Sequence, residues 1–226
     1  MDQLTSQLSE LLQRLSVSHW GVADITGMHP LAEKFPRALS MAMAYYPEFG
    51  VYNEQQYYDL LEENRAHVVD ATQEVSLLLA SRDIKHFTVP QGGQDPETLL
   101  ARFPHKLAAV RAGMGWIGKN SLLITKNHGP RLSLATILID NNIAQGEPVT
   151  SDKCGDCRVC VDACPYGCIK NVNWYPGIAR EALFDAHLCS SKREEFIPAI
   201  GHKHECGLCL LACPWGGRQI AGSNMT

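Results

Sequence analysis

Nine cysteines fall in the last third of a 226-residue chain, and their spacing is that of metal ligands. Cys154, Cys157, Cys160 and Cys164 follow a C-x2-C-x2-C-x3-C rhythm closed by Pro165. Cys206, Cys209 and Cys213, closed by Pro214, repeat its latter part. Such a run is the ligand pattern of bacterial [4Fe–4S] clusters, in which the first three thiolates hold one cubane and the fourth, before Pro, holds the other. This arithmetic groups Cys154, Cys157 and Cys160 with Cys213, and Cys164 with Cys206 and Cys209. The second set then lacks a fourth thiolate, because Lys203 stands where the spacing would place it. Cys168 and Cys189 are the candidates. The turn that presents Cys164 constrains Cys168, whereas Cys189 lies on the connection between the two runs. Cys189 is therefore the expected ligand, and Cys168 a small buried hydrophobe. Competing readings are a disulfide framework, structural zinc, and a single cluster with leftover thiols.

Those thiols need elements to position them. Leu4, Leu8, Leu11, Leu12 and Leu15 recur at helical spacing and predict a core-packing helix over 2–16. Strands are expected at 21–25, 38–45 and 84–89, with a long helix over 54–82 whose Leu60, Leu61, Val68, Val75, Leu78 and Leu79 face inward. Pro90, Gly92, Gly93 and Pro96 mark a loop. Residues 99–112 read as largely helical, broken near Pro104. Residues 121–125 and 132–140 read as a strand pair joined across Asn127, His128, Gly129 and Pro130. The expected fold is α+β: a mixed α/β domain over 1–148, of a type that holds a cofactor, then a bacterial ferredoxin-like double [4Fe–4S] domain over 149–226.

Gly113, Gly115 and Gly118 form the densest glycine cluster. It follows a helix and precedes a strand, the reverse of the dinucleotide fingerprint, so that reading is rejected. Three glycines so close still imply backbone approaching something, whether a flat cofactor or the cysteine-rich part. His202, Lys203, His204 and Glu205 are expected to pack near or solvate the second cluster.

The net charge of −4 shows no basic excess of the kind that marks a general nucleic-acid binder. A polar, acidic start without an apolar stretch, and apolar runs too short to span a bilayer, lead to the expectation of a cytoplasmic protein with no membrane partner.

The stretch from Ala112 through Trp116, Lys119 and Asn120 to Ser121, then the four-cysteine run, Cys189, Ile197-Pro198, and the residues from Cys206 to Trp215 resemble epoxyqueuosine reductases. Tyr45, Tyr46, Pro47 and Glu48 resemble them too. The resemblance implies base-off cobalamin beside two [4Fe–4S] clusters, reduction of an epoxide on a modified tRNA base, and kinship with reductive dehalogenases. It gives the same two cysteine sets as the arithmetic. It also implies an acidic proton donor ahead of the glycine cluster. Counted back from Gly113, that position falls on Leu99, so Asp95, Glu97 and His105 become the candidate proton donors. Trp116, Lys119, Asn120 and Ser121 become the candidate corrinoid-side residues. Members often carry a helical-repeat tail that helps to hold tRNA. This sequence ends at Thr226, ten residues past a similarity that covers most of residues 38–216.

The expected function is an iron–sulfur oxidoreductase that passes electrons through two clusters to a corrinoid, which reduces a small or unidentified substrate. The alternatives are a ferredoxin-like electron-transfer protein without corrinoid, epoxyqueuosine reduction on tRNA, and a flavin in place of the corrinoid. Expected partners are a low-potential flavodoxin- or ferredoxin-type donor and a small-molecule substrate or partner protein. Net acidity and the short tail weigh against tRNA.

Overall fold

Four antiparallel strands form the sheet that organises the first of two compact units, in the order β1-β2-β6-β3. The computed structural model describes residues 3–47 and 52–217. Glu48 and the end at Thr226 lie outside them. The first unit comprises 1–44, 63–115 and 132–149, and the second 45–62, 116–131 and 150–226. The chain thus enters the cysteine-bearing unit three times, and that unit draws on two segments ahead of residue 149.

In the first unit, α1 (Gln3–Arg14) is followed by β1 (His19–Asp24) and β2 (Arg37–Ala44), then the part of the long α2 (Glu54–Ala80) from Glu63 on, β3 (His86–Thr88) and α3 (His105–Arg111). The long β6 (Leu132–Ile139) pairs with β2 on one side and β3 on the other. Strand side chains alternate between faces. Val22, Leu39, Met41, Ala135, Ile137 and Ile139 thereby share one face with Leu8, Leu11 and Leu12 of α1 and Val68, Val75 and Leu79 of α2. The other face is small and polar, with Ala38, Ser40, Ala42 and Thr136, and it takes α3. Gly113 sits in the left-handed region at φ +78°, where a Cβ would lie 2.8 Å from the Glu147 carbonyl oxygen. The close approach expected at this glycine is therefore made by backbone of its own unit.

Two expectations fail on local chemistry. Residues 99–104 are not helical. Asp95 Oδ1 accepts the N–H groups of Glu97 and Thr98, Leu99 turns left-handed at φ +53°, and Pro104 disfavours helical geometry at Phe103. Nor do 121–125 and 132–140 pair. β6 has both edges filled, so β5 (Leu123–Ile124) pairs instead with β4 (Trp116–Ile117), and a Thr125–Gly129 bridge closes the turn.

The second unit is loop-rich. Its helices are short: α4 (Val159–Asp162), α5 (Arg180–Leu183), α6 (Ala186–Glu194), α7 (Ile197–Ile200) and α8 (Leu208–Leu211). Tyr45, Tyr57, Leu61, Leu210 and Leu211 form its small apolar core. Among the described residues no helix is long and apolar enough to cross a membrane.

Removing Leu8, fully buried under the sheet, should cost about 2–5 kcal/mol as Leu8→Ala. Glu10→Ala on the exposed side of α1 should stay within about 0.5 kcal/mol. Urea denaturation of both variants checks the pair.

Candidate metal centre

Two of the short helices of the second unit, α4 and α8, present cysteines in the same way. Cys160 lies in α4 with Cys164 four residues on, and Cys209 lies in α8 with Cys213 four residues on. An i, i+4 pair projects from one side of a helical turn. Ahead of α4, Asp152 Oδ1 accepts the N–H of Cys154 at 2.7 Å, and Cys157 N–H closes on the Cys154 carbonyl at 3.0 Å. Ahead of α8, Gly207 sits left-handed at φ +59°, where a Cβ would fall 2.4 Å from the Tyr57 ring.

Cys154, Cys157, Cys160 and Cys213 line one open pocket, together with Gly118, Lys119, Asn120, Ile124, Pro214 and Trp215. Burial and the neighbouring thiols push Cys160 up to about 11, and burial does the same to Cys213. Thiols so placed stay protonated until a metal displaces the proton. Among the described residues no three His, Cys, Asp or Glu side chains close on a point suited to a single ion. The pocket's donor set is instead four thiols around an open space, which fits a cubane.

The second set is held differently. Burial raises the Cys206, Cys209 and Cys189 thiols, and each is raised further by Cys164. Cys189 rides on α6, whose N-terminus is capped by Asp185 Oδ1 accepting from Leu188 N–H. Cys168 is fully buried, its N–H donating to Cys164 Sγ at 3.4 Å. It is raised to about 12, first by burial and then by Cys164 and Cys189. Cys189 is influenced by both Cys164 and Cys206, and Cys168 by Cys164 and Cys189. His202 stacks on Tyr58 at 3.9 Å, and His204 lies 3.2 Å from the Tyr52 hydroxyl, two residues from Cys206.

The glycine-cluster residues grip the cysteine loops. Lys119 is 4 % exposed, and its Nζ donates to the Cys157 carbonyl at 3.0 Å and Asn171 Oδ1 at 2.9 Å. Asn120 Nδ2 donates to the Cys209 carbonyl at 3.2 Å. Arg131, which sequence reasoning missed, is 1 % exposed and donates from Nη1 to the Cys213 carbonyl at 3.4 Å and from Nη2 to that of Trp215. No local pattern around Arg131 announces this, because its partners lie over 80 residues away. Trp116 meets Trp215 edge-on at 4.8 Å, and its buried Nε1 has no acceptor. Ser121 is buried in a left-handed turn at φ +59°. Of the four residues expected beside a corrinoid, Lys119 and Asn120 are engaged with cluster loops. Trp116 keeps a free donor that a further bound group would satisfy.

The proton-donor candidates lie in the first unit. Asp95 is exposed, and its carboxylate is held below the usual range by Thr98 and by the Glu97 N–H. Glu97 is exposed in the same turn. His105 Nδ1 lies 2.9 Å from Thr136 Oγ1, and burial pulls its imidazole down to about 4. It is neutral at pH 7 and has no proton of ordinary acidity to give.

In class, this is an iron–sulfur protein: residues 153–216 match the family described as a 4Fe-4S double cluster binding domain. The particular resemblance is to epoxyqueuosine reductases. The chain is 36% identical over 108 residues to epoxyqueuosine reductase of Cyclobacterium marinum, covering 47% of this chain and 35% of that protein. The matched stretch thus spans about a third of the length of the curated relatives. In fold it is similar to an epoxyqueuosine reductase solved with an epoxyqueuosine-modified tRNA-Tyr stem loop (TM-score 0.62, 21% identity, 95% of this chain and 65% of that one). It is also similar to a reductive dehalogenase whose structure bears on B12-dependent dehalogenation (TM-score 0.68, 15% identity, 95% of this chain and 32% of that one). The α+β fold with a ferredoxin-like double-cluster domain agrees with these structures.

The depressed His105 value has a measurable consequence. A histidine near 6.5 when unfolded and about 4 when folded takes up its proton more readily in the unfolded chain. Its contribution is full above pH 6.5 and is lost as pH falls toward 4. The loss is roughly 1.4 kcal/mol per pH unit at its steepest. Unfolding free energies measured from pH 4 to 7 should show that slope in wild type and a shallower one in His105→Asn.

Proposed function

We propose that this chain is a double-cluster iron–sulfur reductase of the epoxyqueuosine reductase type. The observation that carries the reading is the single pocket lined by Cys154, Cys157, Cys160 and the distant Cys213. This crossing of two runs is the one that paired cubanes require. We assign the second cluster to Cys164, Cys189, Cys206 and Cys209. Two one-electron centres side by side suit a two-electron reduction fed by a one-electron donor of flavodoxin or ferredoxin type. Removing an epoxide oxygen as water takes two electrons and two protons, so epoxyqueuosine in tRNA is the first substrate to test, in line with the curated relatives. Net acidity argued against tRNA, and the relative solved with a tRNA stem loop argues for it.

A bound corrinoid would supply the reduction at the substrate. This chain's own residues set the cluster loops: Lys119, Asn120 and Arg131 donate to the carbonyls of Cys157, Cys209 and Cys213. Trp116 Nε1 is the donor that would face the additional group.

One observation favours a second reading, electron transfer without substrate chemistry. Leu99 stands where the relatives' acid would fall, Asp95 is tied into its own turn, and His105 is neutral and buried. Leu99 is already left-handed at φ +53°. Asp adopts that conformation more readily than Leu, so Leu99→Asp restores an acid without forcing the backbone.

Anaerobically purified protein, reconstituted with iron and sulfide and then incubated with cobalamin, should carry about eight irons per chain and take up cobalt. Cys189→Ala should lose about four irons, or about one if a three-iron cluster remains, and Cys168→Ala none. The opposite pattern would exchange these two residues in the ligand set. Loss of epoxyqueuosine from modified tRNA, followed with a low-potential donor, should rise in Leu99→Asp. Eight irons with neither cobalt uptake nor turnover in either protein would leave the electron carrier as the function.

A further inference from the structure

Arg131 is a buried cation. Its side chain is almost fully enclosed, Nη1 and Nη2 reach the Cys213 and Trp215 carbonyls, and Nε has no partner. Among the described residues no acidic side chain pairs with it. Carbonyls solvate a guanidinium in part, but an uncompensated buried charge is costly. Lys119 stands on the same pocket, buried and, among the described residues, likewise bonded to neutral acceptors, the Cys157 carbonyl and Asn171. Two buried cations thus reach the backbone of two of the four cysteines proposed for one cluster.

Among the described residues the second set shows no such excess. Arg193, the cation beside Cys189 and Cys206, pairs with Glu205 at 2.8 Å. Lys192 and Lys203 pair with Glu195 and Glu194.

We infer that Arg131, aided by Lys119, is the built-in counter-ion of the cluster held by Cys154, Cys157, Cys160 and Cys213, and that it makes this cluster the more readily reduced of the two. A [4Fe–4S] centre with four thiolates is anionic and gains a further negative charge on reduction, so nearby positive charge favours its reduced form. Arg131 and Lys119 act through the cluster's electrostatics and are positioning residues. The inference rests on the proposed ligand sets.

The test is an anaerobic redox titration of the reconstituted full chain, followed by electron paramagnetic resonance. The two signals are assigned with Cys189→Ala, which keeps the first cluster as its four-iron centre. In Arg131→Met the reduced-to-oxidised ratio of that cluster at fixed poise should fall at least tenfold, which is 59 mV for one electron. Lys119→Met should move it the same way, Arg131→Lys should recover most of the loss, and the second cluster should move by less than half as much. An unchanged or raised potential would overturn the inference. So would equal shifts in both clusters, or an Arg131→Lys shift as large as that of Arg131→Met, which would mark packing instead of charge. Should Arg131→Met lose its iron, Arg131→Lys and Lys119→Met decide by the same criteria. Fewer than about eight irons in the wild-type protein would instead fault the ligand sets.

Discussion

Three hydrogen bonds from one segment hold the cysteine-rich unit in shape: Lys119 to Cys157, Asn120 to Cys209, and Arg131 to Cys213. A chain that presents thiols from four-residue helices leaves many carbonyls outside any ladder, and buried carbonyls require donors. The unit's own apolar core is only a handful of side chains around Tyr57 and Leu211. Segment 116–131 supplies the missing donors. It can do so because glycine lets backbone approach backbone. A Cβ at Gly129 would lie 2.1 Å from the Trp215 carbonyl oxygen, and one at Gly216 would lie 2.4 Å from the His128 carbonyl carbon.

Parts of this were legible in the sequence because a single local rule governs them. Helices α1 and α2 are written in leucine and valine periodicity, and packing under the sheet requires that periodicity. That Cys213 shares a pocket with Cys154, Cys157 and Cys160 was legible for a different reason: cluster coordination fixes ligand spacing along the chain, and proline marks the crossing thiolate. The glycine cluster was legible as close approach but not as to its target. Gly113 packs on its own unit's Glu147, while Gly118 packs on Ile124 and the Asn120 side chain.

What stayed hidden depends on partners remote in sequence. The acceptors of Lys119 lie 38 and 52 residues away and that of Asn120 lies 89 away, and no periodicity encodes such bonds. Lys119 and Asn120 were singled out by resemblance, as residues facing a cofactor. Their side chains turn out to face the loops of the metal centre. The strand pairing around Asn127 failed because two-residue strands carry almost no pattern, and both neighbours of β6 are set by the sheet. The region before Pro104 failed because the Asp95 carboxylate caps its own turn, a competition that helical periodicity does not register.

The residue type at position 131 follows from geometry as much as from charge. One planar guanidinium reaches the carbonyls of both Cys213 and Trp215, on either side of Pro214, which has no N–H of its own to give. A lysine there could carry the charge but not hold both carbonyls in one plane. The protein as a whole is acidic at −4, so positive charge near this pocket cannot come from the general field and has to be placed locally. Burying it raises its influence, because a low dielectric weakens screening. The same side chain therefore closes the loop that carries the last thiol of the first set and sets the electrostatic environment of whatever that thiol binds.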